Sequence, residues 1–332
     1  MKKLLTALFL GGVGLATVAA TASWPEAAPT PPAPPPVLPA GQAIDWVPPV
    51  WFPEETRDEL WVLGHLDGEP LHSWGPEVMA HGGILADLDA GEVLWARDPD
   101  GLRGMASVTK LFTGLALVSR HDLDLTRETC VDYEQWPSRP GARSKFETGD
   151  CHTGWEYLGA AMVASDNRGA YALPDVAGVE YFSFLQRMEQ VAHDLGAEHV
   201  EFGDPAGLED ENRASPRAVL KAVVAAAHHP TLSTVASAPT WHIEPERGDR
   251  RLYSTNRILM AHGHEYDTLA AKTGYTDTAR YCFATVVRSR RTGRTYGAVI
   301  LGSPHGYTRW RDVRSMLSWA DTTQPDQRIS TR

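Results

Sequence analysis

Strand-like and helix-like segments are distributed unevenly along this chain. Two apolar strand patterns flank a turn within residues 83–96, and three more occur much later, at 268–275, 281–287 and 296–301. Helical periodicity dominates the region between them. We therefore predict an α+β fold in which the two ends supply one antiparallel sheet flanked by helices, with a mostly helical second lobe. A cleft between two such lobes is the usual place for a site.

Three apolar stripes recur at helical spacing and predict helices that face the core. In chain order they are Val108, Leu111, Phe112, Leu115 and Val118; Phe182, Leu185, Met188, Ala192 and Leu195; and Trp310, Val313, Leu317 and Ala320. The second stripe is followed by Gly196, a residue that commonly closes a helix. The middle of the chain is therefore expected to be built on buried helices.

The beginning of the chain has the composition of an export signal followed by a tether. Lys2 and Lys3 precede an apolar run that ends in small residues, which predicts a cleavable signal peptide at 1–22. An uncleaved anchor is the alternative. Proline and alanine dominate 23–42, and such a linker cannot bury a core. We expect an exported protein of the periplasm or cell-wall space, with no stable membrane anchor after cleavage.

Residues 43–322 are predicted to form the folded domain, and 323–332 a tail. Within the domain we expect a sheet lobe built from 43–105 and 265–322, and a helical lobe from 106–264. The formal net charge of the whole chain is −11. An acidic chain without a basic stripe argues against a nucleic-acid partner.

Three cysteines lie in the predicted domain. In an exported protein, a bridge between Cys130 and Cys151 would close a polar loop, although the sequence leaves open whether it forms. Cys282 lies in an apolar strand pattern and is expected to be a buried free thiol. Their spacing does not suggest zinc, and we predict neither a metal nor another cofactor.

A serine and a lysine stand three residues apart at the head of the first helical stripe. Residues at this spacing share a helix face, so the Ser107 hydroxyl and the Lys110 amine are expected to point into the same space. Serine is a weak nucleophile until a base removes its proton, and a buried lysine can be neutral enough to do so. The non-catalytic alternative is that Ser107 is a helix N-cap and Lys110 is exposed to solvent.

Two later stretches strengthen the catalytic interpretation. Ser165-Asp166-Asn167 falls on a predicted loop, and Lys272-Thr273-Gly274 falls in a predicted strand. Taken singly, the first could be an ordinary turn and the second an edge strand with a protective lysine. The chain has 25 arginines but only six lysines, and two of the six, Lys110 and Lys272, fall in the three candidate motifs. Arginine cannot act as a base because it stays protonated.

The three motifs together resemble the acyl-serine superfamily of β-lactamases and penicillin-binding proteins. Further stretches are similar to the D-alanyl-D-alanine carboxypeptidase family of low-molecular-mass penicillin-binding proteins. These stretches are Phe202 to Leu208, Glu211 to Ser215, Thr255-Asn256-Arg257 and Lys272 to Thr276. The resemblance implies a β-lactamase/transpeptidase-like fold, peptidoglycan stem peptides as substrate, and β-lactams as covalent inhibitors.

The resemblance also implies catalytic roles. Ser107 would attack the penultimate D-Ala carbonyl, with Lys110 as its base. Ser165 would pass the proton to the leaving amine, and Asn167 would hold the peptide amide. Lys272 would add positive charge that helps to keep Lys110 neutral.

Three neighbouring residues are implied to bind substrate. Thr273 would help Lys272 to hold the terminal carboxylate, and Gly274 would let the substrate backbone lie against the strand. The backbone N–H of Tyr275, with that of Ser107, would hold the oxyanion. Related enzymes often place a carboxylate-binding arginine on the strand that follows, where this chain is expected to have Thr295.

The function predicted first is removal of the terminal D-Ala. Cleavage of D-Ala cross-links is the close alternative, because Ser165 to Ala170 (SDNRGA) resembles the endopeptidase branch. A class A β-lactamase is less favoured, because Glu201 is followed by Phe202 to Pro205 instead of that family's deacylation motif. A non-catalytic wall-binding module is disfavoured by the intact motifs. The run 262–267 (HGHEYD) lacks the spacing of a zinc peptidase.

Overall fold

A five-stranded antiparallel sheet joins segments from both ends of the folded chain. The structure, a computed structural model, describes residues 47–132, 144–244, 250–258 and 265–323. The predicted signal peptide and linker lie outside the described residues, and so does nearly all of the tail. In the sheet the early hairpin lies beside the last strand, so the two ends of the domain meet in one layer.

The strands of this sheet are β1 (Gly82–Asp87), β2 (Glu92–Arg97), β10 (Tyr266–Thr276), β11 (Arg280–Ser289) and β12 (Thr295–Ser303), in the order β10-β11-β12-β1-β2. The predicted hairpin within 83–96 is β1 and β2, and the three later strand predictions are β10, β11 and β12. Short strands elsewhere are β3 (Arg103–Gly104), β4 (Glu128–Cys130), β5 (Cys151–Thr153), β6 (Val200–Glu201), β7 (Arg213–Ala214), β8 (Thr240–Ile243) and β9 (Arg250–Tyr253).

The helices are α1 (Glu54–Arg57), α2 (Val62–His65), α3 (Lys110–Val118), α4 (Gly154–Val163), α5 (Asn167–Tyr171), α6 (Leu173–Val176), α7 (Tyr181–Asp194), α8 (Pro216–His228), α9 (Pro230–Ala236) and α10 (Gly306–Thr323). Among the described residues, Asp58–Trp61 and Ala106–Thr109 form 3-10 helices. Helices α3 to α9 lie between the two groups of sheet strands along the chain.

Both faces of the sheet are buried, which explains its nearly continuous apolar strands. Side chains alternate between the faces of a strand, so Ile84 packs on the side of α3 and α8, while Leu85 packs on the side of α10. The predicted stripe of α10 is buried against that second face. The sheet is therefore a middle layer between α10 and the other helices.

The predicted stripe of α7 is partly wrong. Phe182 is 70% exposed, and the buried aromatic side chain of this helix is Phe184. Glu180 caps the helix by accepting bonds from the backbone N–H groups of Phe182 and Ser183. The Phe182 side chain therefore projects into solvent, and the buried residues of the helix are Phe184, Met188, Val191 and Ala192.

A disulfide joins the paired strands β4 and β5. Cys130 and Cys151 lie directly opposite each other in this ladder and are bonded, with a sequence separation of 21. Cys282 is a buried free thiol, as the apolar strand pattern predicts.

Replacing Cys130 and Cys151 together with alanine should lower the free energy of unfolding by about 3 kcal/mol, because the bridge restricts the unfolded chain. Guanidinium titrations of the oxidised protein and the double variant measure the difference. Reduction of the parent protein should reproduce the loss and leave the double variant unchanged. Equal midpoints for the oxidised and reduced parent protein would contradict the prediction.

Candidate active site

Ser107 lies in a tight 3-10 turn at the entrance to a fully buried helix. The turn spans Ala106–Thr109, and α3 follows it without a break, with every residue buried. Ala106 has a φ of +48°, a conformation that side-chain-bearing residues adopt at an energetic cost. The Thr109 hydroxyl donates to the Ala106 carbonyl at 2.7 Å and closes the turn. The nucleophile candidate is therefore held on a rigid, strained support.

The amine of Lys110 meets three acceptors. Its Nζ lies 3.0 Å from the Ser107 Oγ, 2.9 Å from the Asn167 Oδ1 and 2.6 Å from the Ala206 carbonyl oxygen. The side chain is 1% exposed. An ammonium group can fill all three contacts, whereas a neutral amine keeps a lone pair that can accept the Ser107 proton. The geometry therefore joins the nucleophile to its predicted base.

Burial lowers the pKa of Lys110 to about 8, although the nearby carboxylates of Asp204 and Asp166 act in the opposite direction. Burial also holds the pKa of Lys272 well below its ordinary value, and the charges of Lys110 and Arg309 lower it further. Two buried ammonium groups in one site repel each other and disfavour a doubly charged state. One of the two lysines is thus readily deprotonated.

Ser165 and Lys272 form the second half of the cluster. The Lys272 Nζ donates to the Ser165 Oγ at 2.9 Å and to the Thr273 carbonyl at 3.0 Å. Ser165 has a φ of +60°, which turns the chain sharply between α4 and α5. Lys272 is 1% exposed. Strand β10 of the sheet therefore holds the Lys272 amine against the loop between α4 and α5.

Asp166 holds this loop in place through its hydrogen bonds. Its carboxylate accepts bonds from the Gly169 N–H at 3.0 Å, the Ser144 hydroxyl at 2.7 Å and the Lys145 N–H at 2.7 Å. It is also the N-cap of α5, whose first residue is Asn167. Capping therefore orients the amide that contacts Lys110.

All five side chains predicted to be catalytic meet in one cluster. Lys110 bridges Ser107 to Asn167, and Lys272 contacts Ser165. Beside them, the Thr273 hydroxyl lies 2.6 Å from the hydroxyl of Thr255, so either can donate to the other. The roles assigned to these residues remain predictions, but the distances suit transfer of a proton away from one hydroxyl and toward another.

The structure gives Gly274 a packing reason in addition to the predicted one. A Cβ at this position would lie 2.6 Å from the Met105 carbonyl oxygen and 3.1 Å from the Val108 nitrogen. The missing side chain therefore faces the turn that carries Ser107, and its absence lets β10 approach that turn closely. Glycine is required by packing within the protein, before any substrate backbone is considered.

Tyr275 marks the exposed end of this strand. Its side chain is 46% exposed, its hydroxyl donates to Asp277 at 2.7 Å, and its ring centroid lies 4.3 Å from that of Tyr281. The side chain therefore belongs to the rim of the site, whereas the predicted oxyanion contact concerns its backbone N–H.

Thr295 does not occupy the position expected from the sequence. It pairs with Arg288, whereas the residue of β12 that pairs with Tyr281, near Gly274, is Ser303. Thr295 therefore lies toward the far end of the sheet. At Gly274 itself a guanidinium comes instead from α10, where Arg309 donates to the Gly274 carbonyl at 3.1 Å.

The sequence reasoning missed a loop that supports Lys110. The Asp204 carboxylate accepts bonds from four successive backbone N–H groups, those of residues 206–209. This arrangement directs the Ala206 carbonyl at Lys110. Gly207, at a φ of +81°, allows the loop to touch the nucleophile turn, because a Cβ there would lie 2.0 Å from the Ala106 oxygen. The sequence of this segment carries a family resemblance, but no local pattern in it reveals these contacts.

Two other sequence features are not part of the cluster. Glu201 is exposed and lies 4.0 Å from Arg213 in an ion pair, so it is not placed as a buried base. Of the run 262–267, residues 262–264 lie outside the described residues. Across the described ranges no group of histidine, cysteine and acidic side chains could hold a metal ion. Nor does any helix there have the length and apolar character needed to cross a membrane.

Comparison with known proteins gives the cluster its context. Residues 70–305 match the family model described as D-alanyl-D-alanine carboxypeptidase. An Escherichia coli D-alanyl-D-alanine endopeptidase is 24% identical over 256 residues, which cover 74% of this chain and 79% of that protein. The Mycobacterium tuberculosis D-alanyl-D-alanine carboxypeptidase DacB2 is 26% identical over 265 residues, which cover 77% of this chain and 87% of that protein.

The fold of this chain is similar to that of a solved structure with the same description. A crystal structure of a D-alanyl-D-alanine carboxypeptidase from Mycobacterium tuberculosis superposes with a TM-score of 0.69 at 22% identity, covering 78% of this chain and 97% of that one. The predicted α+β fold of the β-lactamase/transpeptidase type is thereby confirmed. The family predicted from the three motifs is confirmed as well. The chain belongs to the D-alanyl-D-alanine carboxypeptidase family and is a serine DD-peptidase.

Proposed function

We propose that this peptidase is an exported enzyme that removes the terminal D-Ala from peptidoglycan stem peptides through an acyl-enzyme on Ser107. The contact that carries the proposal is the 3.0 Å hydrogen bond between the Lys110 Nζ and the Ser107 Oγ, in a site where burial lowers the pKa of Lys110 to about 8. A nucleophile beside a base that is partly neutral near pH 7 suits acyl transfer.

In the acylation step, the Ser107 oxygen attacks the carbonyl carbon of the penultimate D-Ala, and its proton moves to Lys110. The carbon–nitrogen bond to the terminal D-Ala then breaks. Ser165, hydrogen-bonded to Lys272 at 2.9 Å, would give its proton to the departing amine and take back the proton held by the lysine ammonium groups, so that its hydroxyl is restored. Water subsequently cleaves the ester and restores the Ser107 hydroxyl. Backbone N–H groups of Ser107 and Tyr275 would stabilise the oxyanion, each by about 3 kcal/mol.

Labelled penicillin tests the assignment of the nucleophile. β-Lactams carry a strained amide that the same serine would open, and peptide mapping by mass spectrometry should place the adduct on Ser107. Ser107→Ala should abolish both the adduct and D-Ala release. Ser183→Ala, which changes an exposed serine on α7, is the matched control and should retain both. An adduct on any other residue would contradict the proposal.

The pH dependence of acylation tests the base. With a pKa of about 8, about a tenth of Lys110 is neutral at pH 7, compared with fewer than one in a thousand for an ordinary lysine. Because the neutral amine is the active form, the acylation rate by penicillin should rise about tenfold from pH 6 to pH 7 and level off above about pH 8. A rate that is constant over this range would exclude Lys110 as the titrating base.

Cleavage of D-Ala cross-links is the second candidate. The sequence SDNRGA at Ser165 to Ala170 favours it, as does similarity to a protein named as an endopeptidase. Both activities would use the same nucleophile and base. Purified cross-linked muropeptides separate them, since free D-Ala indicates a carboxypeptidase and conversion of dimers to monomers an endopeptidase. Sustained hydrolysis of a chromogenic cephalosporin would instead favour a β-lactamase.

A further inference from the structure

A groove with two tryptophans lies at the far end of α4 from the catalytic cluster. Its cavity volume is about 560 Å³. Trp155 stands in the first turn of α4, and Trp241 comes from β8. The ten residues of α4 span about 15 Å at 1.5 Å per residue, so the groove is separate from Ser165, which follows the other end of this helix.

The two indole rings form one aromatic wall. Their ring centroids lie 6.2 Å apart, and the planes are inclined by 32°. Trp241 is seated on α4 because Gly159 has no side chain; a Cβ there would lie 2.1 Å from the Trp241 Nε1. Both tryptophans remain partly exposed at the groove. The rings are thus held in place while part of their surface stays open to a ligand.

Carboxylates surround this wall. Glu128, Glu156 and Glu244 line the same groove, and none of its lining residues that the structure describes is a lysine or arginine. Burial favours protonation of Glu156, but the His152 ring 3.6 Å away and hydrogen bonds from Thr153 and the Glu244 N–H outweigh it and lower its pKa to about 2. Arg251 is not a lining residue of the groove, and its guanidinium donates a hydrogen bond to the His242 ring at 3.3 Å. The groove therefore carries negative charge beside exposed aromatic faces.

We propose that this groove binds an alkylammonium group. A cation over an indole face is attracted by the ring, and the carboxylates add charge complementarity. A neutral sugar could stack on the same rings but would gain nothing from the charge. Such an ammonium group could belong to the diamino acid of a stem peptide or to a free polyamine.

Titrations of the full chain, followed by the indole N–H resonances of Trp155 and Trp241, test this assignment without requiring turnover. The probes are a lysine-containing tripeptide without a D-Ala terminus, the same peptide acetylated on its side chain, spermidine and chitotriose. The free amine should bind about tenfold more tightly than the acetylated form. Because catalysis is not measured, the result is independent of the proposed peptidase function.

A variant combining Glu128→Gln with Glu244→Gln should weaken binding of the amine about fivefold. Glu189→Gln, which neutralises an exposed carboxylate on α7, should leave it unchanged. Tighter binding of the tripeptide than of spermidine assigns the site to a peptide amine, and the reverse order assigns it to a polyamine. Equal affinity for free and acetylated amines, or binding of chitotriose alone, would overturn the proposal.

Discussion

Lys110→Arg is expected to reduce the acylation rate of Ser107 by about a thousandfold, which is within the range that a general base contributes. Arginine preserves the positive charge and much of the length of the side chain, but it does not lose its proton in proteins. The variant would therefore keep donors near Asn167 and Ala206 while losing the group that accepts the Ser107 proton. Stopped-flow acylation by penicillin and steady-state D-Ala release both measure the loss.

Lys145→Arg is the matched control for this substitution. Lys145 is exposed and its side chain is not among the contacts of the cluster, so the same change there should leave acylation within about twofold of the parent protein. Thermal melting and near-ultraviolet circular dichroism would show whether Lys110→Arg still folds. A folded Lys110→Arg protein that acylates within tenfold of the parent would exclude Lys110 as the base.

Gly207→Ala should reduce acylation about a hundredfold and also destabilise the fold, since displacing a reacting group by about 1 Å can have this effect. The added Cβ would lie 2.0 Å from the Ala106 oxygen and 2.8 Å from the Ser107 nitrogen. Either the Asp204 loop or the nucleophile turn must shift. The first would move the Ala206 carbonyl away from Lys110, and the second would move Ser107 itself.

Gly149→Ala separates this clash from the cost of the backbone conformation. Gly149 has a φ of +87°, close to the +81° of Gly207, but a Cβ there would meet nothing within 4 Å. Both substitutions therefore carry the left-handed backbone cost of about 1 to 2 kcal/mol, and only Gly207→Ala adds overlap at the site. Penicillin acylation and urea unfolding should distinguish them. Equal losses of acylation in the two variants would contradict the steric explanation.

Much of the framework follows from local patterns. Alternating apolar residues predicted β1, β2 and β10 to β12, and the stripe of α10 is buried as its 3.6-residue period indicates. The motifs at Ser107, Ser165 and Lys272 were recognisable because each places a particular functional group on a particular kind of element. Phe182 shows the limit of such patterns, since an apolar residue at helical spacing can still project from a capped first turn.

What the sequence determined by itself is the family, the fold class and the identity of the residues in the cluster. Only the tertiary structure decided which groups meet, because those contacts join residues far apart in the chain. Lys110 reaches Ala206, 96 residues away, and Lys272 reaches Ser165, 107 residues away. Spacing along a chain reports which side chains share a helix face or a strand face. Close approach between distant elements, such as that permitted by Gly207 and Gly274, depends on how the core packs and leaves no periodic signal in the sequence.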